Sequence, residues 1–331
     1  MMLITKRSIP HPHAAVVLVA LAALVAPRPQ PAHADTPPTP AQKDKIEAAL
    51  PQAAFAEPPQ PRRILVVSRT AGFRHKSIPH GKFALEAMGA RSGAFEAVIS
   101  DDPANFERQA LAGFDAVVLL NVSKDFFMPD KRQRKGMSQR ELAQRQAEHD
   151  RLISNLVEFV RDGGGVAGIH AATDACYKHP EYPEMIGGLF WGHPWNARHR
   201  VVIDVEDPDH ALNRPVFGSR GEFELVEEIY QFREEPYSRQ RLRILLALDK
   251  EKSDPVDESK IRRSDGDFPV AWVQRFGDGR IFYSSLGHNA HIYWNPLVLK
   301  HYLAGIQFAI GDLEADTTPS SASGSATADG G

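Results

Sequence analysis

Five short stretches of this 331-residue chain hold side chains that could move protons or bind a cation. "SRTAGFRHKS" carries Arg74 and His75, "GIHAATDA" carries His170 and Asp174, and "YSSLGHNAH" carries His288. "ELVEEIYQF" carries Glu227, Glu228 and Tyr230, and "LFWGHPW" sets His193 between Trp191 and Trp195. Imidazoles titrate near neutral pH and act as general acids and bases. Several of them with one carboxylate can also hold a divalent metal such as zinc or manganese, leaving a coordination position open. His75, His170, Glu228 and His288 are the expected catalytic set, and the same four would be the ligands of any metal. Arg74, Asp174, Trp191, His193, Trp195 and Tyr230 are the expected substrate-binding set. No HExxH or CxxC signature is present, so spacing alone does not make these residues a cluster. The plainer reading of each histidine is a solvated loop residue or a satisfied cap. His33, His80, His149, His210 and His301 are given that reading, and Glu227 and Glu228 could be surface charges.

A cluster requires elements that bring distant segments to one edge. Apolar runs at 63–68, 95–100, 114–121 and 166–169 read as buried strands. Helical spacing covers 78–89, 104–111 and 138–162, the last with Leu152, Leu156, Phe159 and Val160 on its apolar face. The glycines at 163–165 stop that helix and, lacking a following Gly-Lys-Ser/Thr, do not form a phosphate loop. Strand and helix alternating at this spacing imply a parallel sheet with right-handed crossovers, whose sites form beyond the carboxyl ends of the strands. His75 and His170 then project from one edge. The second half is richer in strands (198–206, 223–232, 243–249, and a hairpin over 269–286 with a Gly-Asp-Gly turn), and it could carry Glu228 and His288 over that edge. A last helix runs from about 295 to 310.

The net charge of −3, with 24% charged and 42% hydrophobic residues, fits a globular chain and gives no support for nucleic-acid binding. The basic stretch "KRQRKGMSQR" at 131–140 lacks interleaved aromatics and reads as solvated surface. Lys6 and Arg7, the apolar run 14–26 and "AHA" at 32–34 form a secretory signal cleaved after Ala34, so the expected location is periplasmic or extracellular, with no membrane span in the mature chain. Residues 35–61 read as a Pro/Ala-rich linker with one helical turn near 43–50, 62–313 as the folded domain, and 314–331 as a disordered tail. The single cysteine, Cys176, has no partner for a disulfide and reads as structural.

Taken in order, "RILVVSRTAGFRHKSIPHG", "VRDGGGVAGIHAATDACY", "FWGHPW", "EEIYQF" and "PVAWVQRFGDGRIFYSSLGHNAHIY" resemble the ThuA-like (trehalose utilisation) family over nearly the whole domain. The resemblance implies a flavodoxin-like, class I glutamine amidotransferase-like α/β fold: a parallel sheet flanked by helices, with a β-rich C-terminal half. In true amidotransferases the corner after the fourth strand carries the catalytic Cys. Here His170 stands there, so glutamine hydrolysis by that route is not expected. The family's recurrent polar motifs fall on His75, His170, Asp174, His193, Glu228, Tyr230 and His288. Two departures are the basic insertion near 131–144 and the "EEIYQF" doublet, where relatives often have Asp-Glu followed by Trp-Tyr. The implied role is in sugar metabolism, with a small-molecule sugar as partner. The leading expectation is acid/base chemistry on a keto-disaccharide or glycoside, metal-assisted if a cation binds. A non-catalytic sugar-binding or accessory protein is the alternative, and a metal-dependent hydrolase of another small substrate a third reading. Nothing in the sequence fixes the oligomeric state.

Overall fold

The computed structural model describes residues 35–323. The expected signal segment, and the expected tail from 324 onward, lie outside the described residues.

The strands in chain order are β1 (Arg63–Val67), β2 (Glu96–Ile99), β3 (Ala116–Leu120), β4 (Gly165–Ile169), β5 (Phe190–Trp195) and β6 (Arg200–Val205). They continue with β7 (Glu222–Val226), β8 (Ile229–Phe232), β9 (Arg243–Asp249), β10 (Pro269–Phe276) and β11 (Gly279–Ser284). Nine of them form one sheet in the order β2-β1-β3-β4-β11-β10-β9-β6-β7, and β5 pairs with β8 separately. The first five of that order run parallel, with Ser284 of β11 opposite Ile169 of β4. This is the flavodoxin-like order. The remaining four pair antiparallel and account for the strand-rich second half.

Alternation along the parallel strands feeds two cores. Ile64, Val66 and Val118 face one side, with Ala84, Leu85 and Leu303 of helices Ile78–Ser92 and Pro296–Ile310. Leu65, Val67, Val117 and Leu119 face the other, against Leu152, Leu156 and Val160 of helix Gln139–Arg161. Both faces are covered, which is why these strands read as continuous apolar runs. The long helix starts at a capping box: Ser138 Oγ accepts from the Glu141 amide, and the Glu141 carboxylate accepts from the Ser138 amide. It ends before Gly163, whose φ of +112° suits a residue without Cβ.

Four expectations change. The helix expected over 104–111 is broken at Glu107 into a 3₁₀ turn, Pro103–Phe106, and one α-turn, Arg108–Leu111. The strand expected over 223–232 is two strands in different sheets, with Glu227 and Glu228 at the break. The segment read as a linker carries helix Pro40–Ala49, started by a Thr39/Gln42 capping box. Ile46 and Leu50 of that segment are buried in the core, and Gln307 Oε1 accepts from the Phe55 amide at 2.7 Å. Burying two such side chains is worth about 1.5–3 kcal/mol each, enough to dock a segment whose composition reads as loose. The start of the expected tail is likewise bonded: His210 Nε2 meets the Asp316 carbonyl at 2.8 Å, and Ser320 Oγ accepts from the Ile244 amide at 2.8 Å. The basic stretch near 131 begins as one helical turn, Lys131–Arg134, capped by Asp130, with Lys131 and Arg132 exposed. Among the described residues no helix is long and apolar enough to cross a membrane.

His301, on helix Pro296–Ile310, is buried beside the rings of Phe282 and Phe217, and neither ring nitrogen has a hydrogen-bond partner. Burial pushes its pKa down to about 3 from an ordinary 6.5. The unfolded chain therefore takes up a proton below about 6.5 that the folded chain refuses until about 3. Stability is complete above that window and falls as the pH drops through it, by about 1.4 kcal/mol per unit for this one group. His301→Leu should reduce the loss of melting temperature between pH 7 and pH 4.5. An unchanged loss in the variant would refute this account.

Candidate active site

Three parallel strands deliver three histidines to one edge. β1 ends in the loop that carries Phe73, Arg74 and His75; β4 ends directly at His170; β11 ends four residues before His288. The break between β7 and β8 brings Glu228 over this edge, and β5, paired with β8, brings His193.

Glu228 is the hub. Its Oε1 lies 3.1 Å from His288 Nδ1 and 3.7 Å from His170 Nε2, and its Oε2 lies 3.4 Å from His193 Nδ1. The His75 ring stands edge-on to His170 and His288, with ring centres 4.7 and 5.0 Å away. His75 and His170 are buried, His288 is partly covered, and the His193 side chain is 49% exposed at the mouth.

His170 occupies the corner with φ +50°, a left-handed conformation that costs a non-glycine residue on the order of 1 kcal/mol or more. Its Nδ1 lies 2.7 Å from the Ser285 carbonyl, which can only accept, so Nδ1 carries the proton and Nε2 presents its lone pair. Tyr230 Oη lies 3.0 Å from that Nε2. The Tyr283 hydroxyl donates to the His170 carbonyl at 2.7 Å and holds the corner from behind. Gly287, at φ +136°, lets the β11 loop pass close: a Cβ there would meet Ile169 and His170 at 2.9 and 3.2 Å. Ser77 and Asn121 both donate to the Gly287 carbonyl, tying the ends of β1, β3 and β11 together.

The environments separate the imidazoles. Burial, reinforced by His288 and His193, pushes His75 down to about 3. Burial and the neighbouring His75 and His288 also hold His170 well below its ordinary value. Burial opposes the charged form of His288 too, but the Glu228 carboxylate, 3.1 Å from its Nδ1, outweighs it and raises that pKa. The cup thus holds two imidazoles pushed toward the neutral form and one pushed toward the charged form.

Nitrogen atoms of His75, His170 and His288 lie within 4.8 Å of one another, and His75 Nδ1 is buried with no partner. Of the four residues expected to hold a cation, the three histidines form this group; Glu228 is not part of it, though its Oε1 lies 3.1 Å from His288 Nδ1, and imidazole nitrogens suit zinc or another transition metal.

The expected binding residues divide. His193 and Tyr230 are at the cup. Trp195 is not: it is buried in the core, its indole N–H donating to the Asp254 carbonyl at 3.0 Å. β5 is irregular between Phe190 and Trp195, with Gly192 at φ +145°, so the alternation that would put Trp191, His193 and Trp195 on one face is broken. Trp191 lines a neighbouring cleft. Arg74 lies beside His75 in sequence, but its guanidinium is committed to Asp35 and the Ser68 carbonyl. Asp174 is bonded by Lys124 at 2.6 Å and by Tyr177. Cys176 is buried, and burial pushes its thiol up, away from reactivity.

One residue was not anticipated, and a second, which could have been a surface charge, is buried. Phe73 is 63% exposed, its ring 4.7 Å from His75 and nearly parallel to His288 at 6.3 Å, an apolar platform at the mouth of the cup. Its position next to Gly72 and Arg74 in a polar loop was the available signal. Glu227 is fully buried and accepts from the backbone amides of Glu228, His288 and Asn289. Burial pushes its carboxyl up to about 8 against the pull of those donors.

A family model described as trehalose utilisation, ThuA, matches residues 63–309. A ThuA-like protein from Bacteroides uniformis is similar in structure, with a TM-score of 0.55 at 18% identity, covering 76% of this chain and 93% of its own. A ThuA-like protein from Parabacteroides merdae gives 0.49 at 19% identity, covering 76% of this chain and 91% of its own. The first of these likenesses speaks to the fold alone. No curated protein matches this chain.

Proposed function

Because the chain belongs to the ThuA, trehalose-utilisation family, we propose that its carbohydrate-related role is acid/base chemistry on a keto-sugar glycoside at the histidine cup. One observation carries this reading: a single carboxylate, Glu228, within 3.7 Å of three imidazoles, at the carboxyl edge of the parallel sheet. The carbon between a ring ketone and the anomeric carbon is acidic. Glu228, or His170 through the Nε2 lone pair that faces the Tyr230 hydroxyl, accepts that proton. The released electron pair forms a carbon–carbon double bond, and the bond from the anomeric carbon to the departing oxygen breaks with its pair going to oxygen. His288, pushed toward its charged form by Glu228, supplies the proton that oxygen needs. Addition of water to the enone completes a hydrolysis; return of the proton to the other face would make an isomerase. Phe73 offers an apolar face for the sugar ring.

A divalent cation held by His75, His170 and His288 would polarise the ketone oxygen. Proton transfer in that case falls to His193 and the Glu228 carboxylate. A non-catalytic sugar-binding role would be favoured by separation of His170 from Glu228, and their 3.7 Å contact supports chemistry instead. The order of basic, apolar and small residues over 1–34 supports export to the periplasm or beyond.

The test uses the full chain purified without a metal-affinity tag. In deuterated water, NMR should show exchange at the carbon beside the ketone of methyl 3-keto-glucopyranoside, abolished in His170→Ala. Mass spectrometry should show zinc or manganese in the wild type that falls to background in His75→Ala and His170→Ala. Exchange no faster than in buffer would overturn the proton-transfer reading. A folded wild type that takes up no metal on loading would remove the cation.

A further inference from the structure

Beside the cup lies an open cleft of about 520 Å³ that the chemistry above leaves unused. The two share a wall: the Phe190 ring lines the cleft and also packs on Tyr230 at 4.4 Å and stacks on His193 at 5.9 Å. The cleft gathers Lys124, Lys178, Arg233 and Arg262 around the rings of Tyr177 and Trp191. Lys124 and Arg233 stand 4.7 and 5.2 Å from the centre of the same Tyr177 ring, and Arg262 stands 5.8 Å from that of Trp191. Among the described residues, only one of the four cations has an ion-pair partner: Lys124 pairs with Asp174. Arg262 donates to the Trp191 carbonyl. Among the described residues, no carboxylate lies within ion-pair distance of Arg233 or Lys178.

On a chain whose net charge is −3, this is a local concentration of positive charge set against aromatic faces. Aromatic faces suit the apolar side of a pyranose ring. Uncommitted cations, one a guanidinium with paired donors, suit a planar or tetrahedral anion. A neutral saccharide gives these cations nothing to neutralise. We propose that the cleft is a subsite for an anionic group on the saccharide, so that the substrate class is an acidic sugar or glycoside, with its charged unit on Tyr177 and Trp191 and its reacting unit in the cup. This rests on the carbohydrate reading above. The anion could be a uronic carboxylate or a sulfate or phosphate ester, which share the chemistry the cleft recognises.

The test is calorimetric binding to the full chain of methyl β-D-glucuronide, glucose 6-sulfate, glucose 6-phosphate and neutral methyl β-D-glucoside. At least one anionic sugar should bind about tenfold tighter than the neutral one, with the preference shrinking in high salt. The preference should be lost in the double variant Lys178→Ala/Arg233→Ala and partly kept in Arg233→Lys. Tighter binding of the glucuronide assigns a carboxylate, and tighter binding of the 6-sulfate or 6-phosphate assigns an ester. Equal affinities in the wild type, or a preference that survives the double variant, would overturn the subsite while leaving the carbohydrate reading standing. Failure of all four sugars to bind would overturn the subsite, and the exchange assay on methyl 3-keto-glucopyranoside then decides the carbohydrate reading.

Discussion

Glu228→Gln should lower turnover of methyl 3-keto-glucopyranoside by about 10²- to 10⁴-fold, the range expected for removing one acid/base group, with little change in melting temperature. The side chain keeps its size, and its amide oxygen can still accept from His288, so the cup retains its shape. What disappears is the negative charge that three imidazoles face, within 3.7 Å. An amide cannot take up a carbon-bound proton, and His288 loses the partner that favours its protonated form. The fall should appear in kcat, with KM nearly unchanged, because ring contacts such as Phe73 lie outside the substitution. A fall confined to KM would place Glu228 in binding rather than proton transfer. Turnover within about threefold of the wild type would remove Glu228 from the chemistry altogether.

For His75 and His170 this edge was legible in the sequence because parallel strands give no choice: their carboxyl ends share one side of the sheet; His288 was read on a hairpin of the second half, and the parallel pairing of β11 with β4 that delivers it was not legible. Tyr230 and His193 were legible for a weaker reason, their place next to Glu228 or between aromatics. The failures have specific causes. Trp191 and Trp195 look equivalent in sequence, and only the irregular pairing of β5 with β8 turns one outward and buries the other. Arg74 sits next to His75, yet a carboxylate from a segment read as linker claims it. That segment held its own helix signal, Thr39 followed by Pro40 and Gln42, which its Pro/Ala-rich composition obscured. The doublet at 227 and 228 is the hardest case. Two identical side chains stand at a break between sheets, and the chain path there, not the residue type, decides which one faces the cup.

The other member of that doublet should matter more for folding than for chemistry. Glu227→Ala is expected to destabilise the protein by about 3 kcal/mol or more, because three backbone donors, one buried and two partly buried, lose an acceptor worth at least about 1 kcal/mol each. Those donors are the amides of Glu228, His288 and Asn289, at 3.0, 3.0 and 3.2 Å from the Glu227 carboxylate. Two belong to the β11 loop and one to the break between β7 and β8, so this carboxylate staples the two segments that carry the hub and its closest imidazole. Glu227→Gln keeps one acceptor oxygen but aims an amide NH₂ at one of the donors, so its loss should be intermediate. Denaturant unfolding of both variants measures the order, and hydrogen exchange locates it: the amides of His288 and Asn289 should lose protection first. If Glu227→Ala unfolds within about 1 kcal/mol of the wild type with those amides still protected, the staple is not what holds the cup closed.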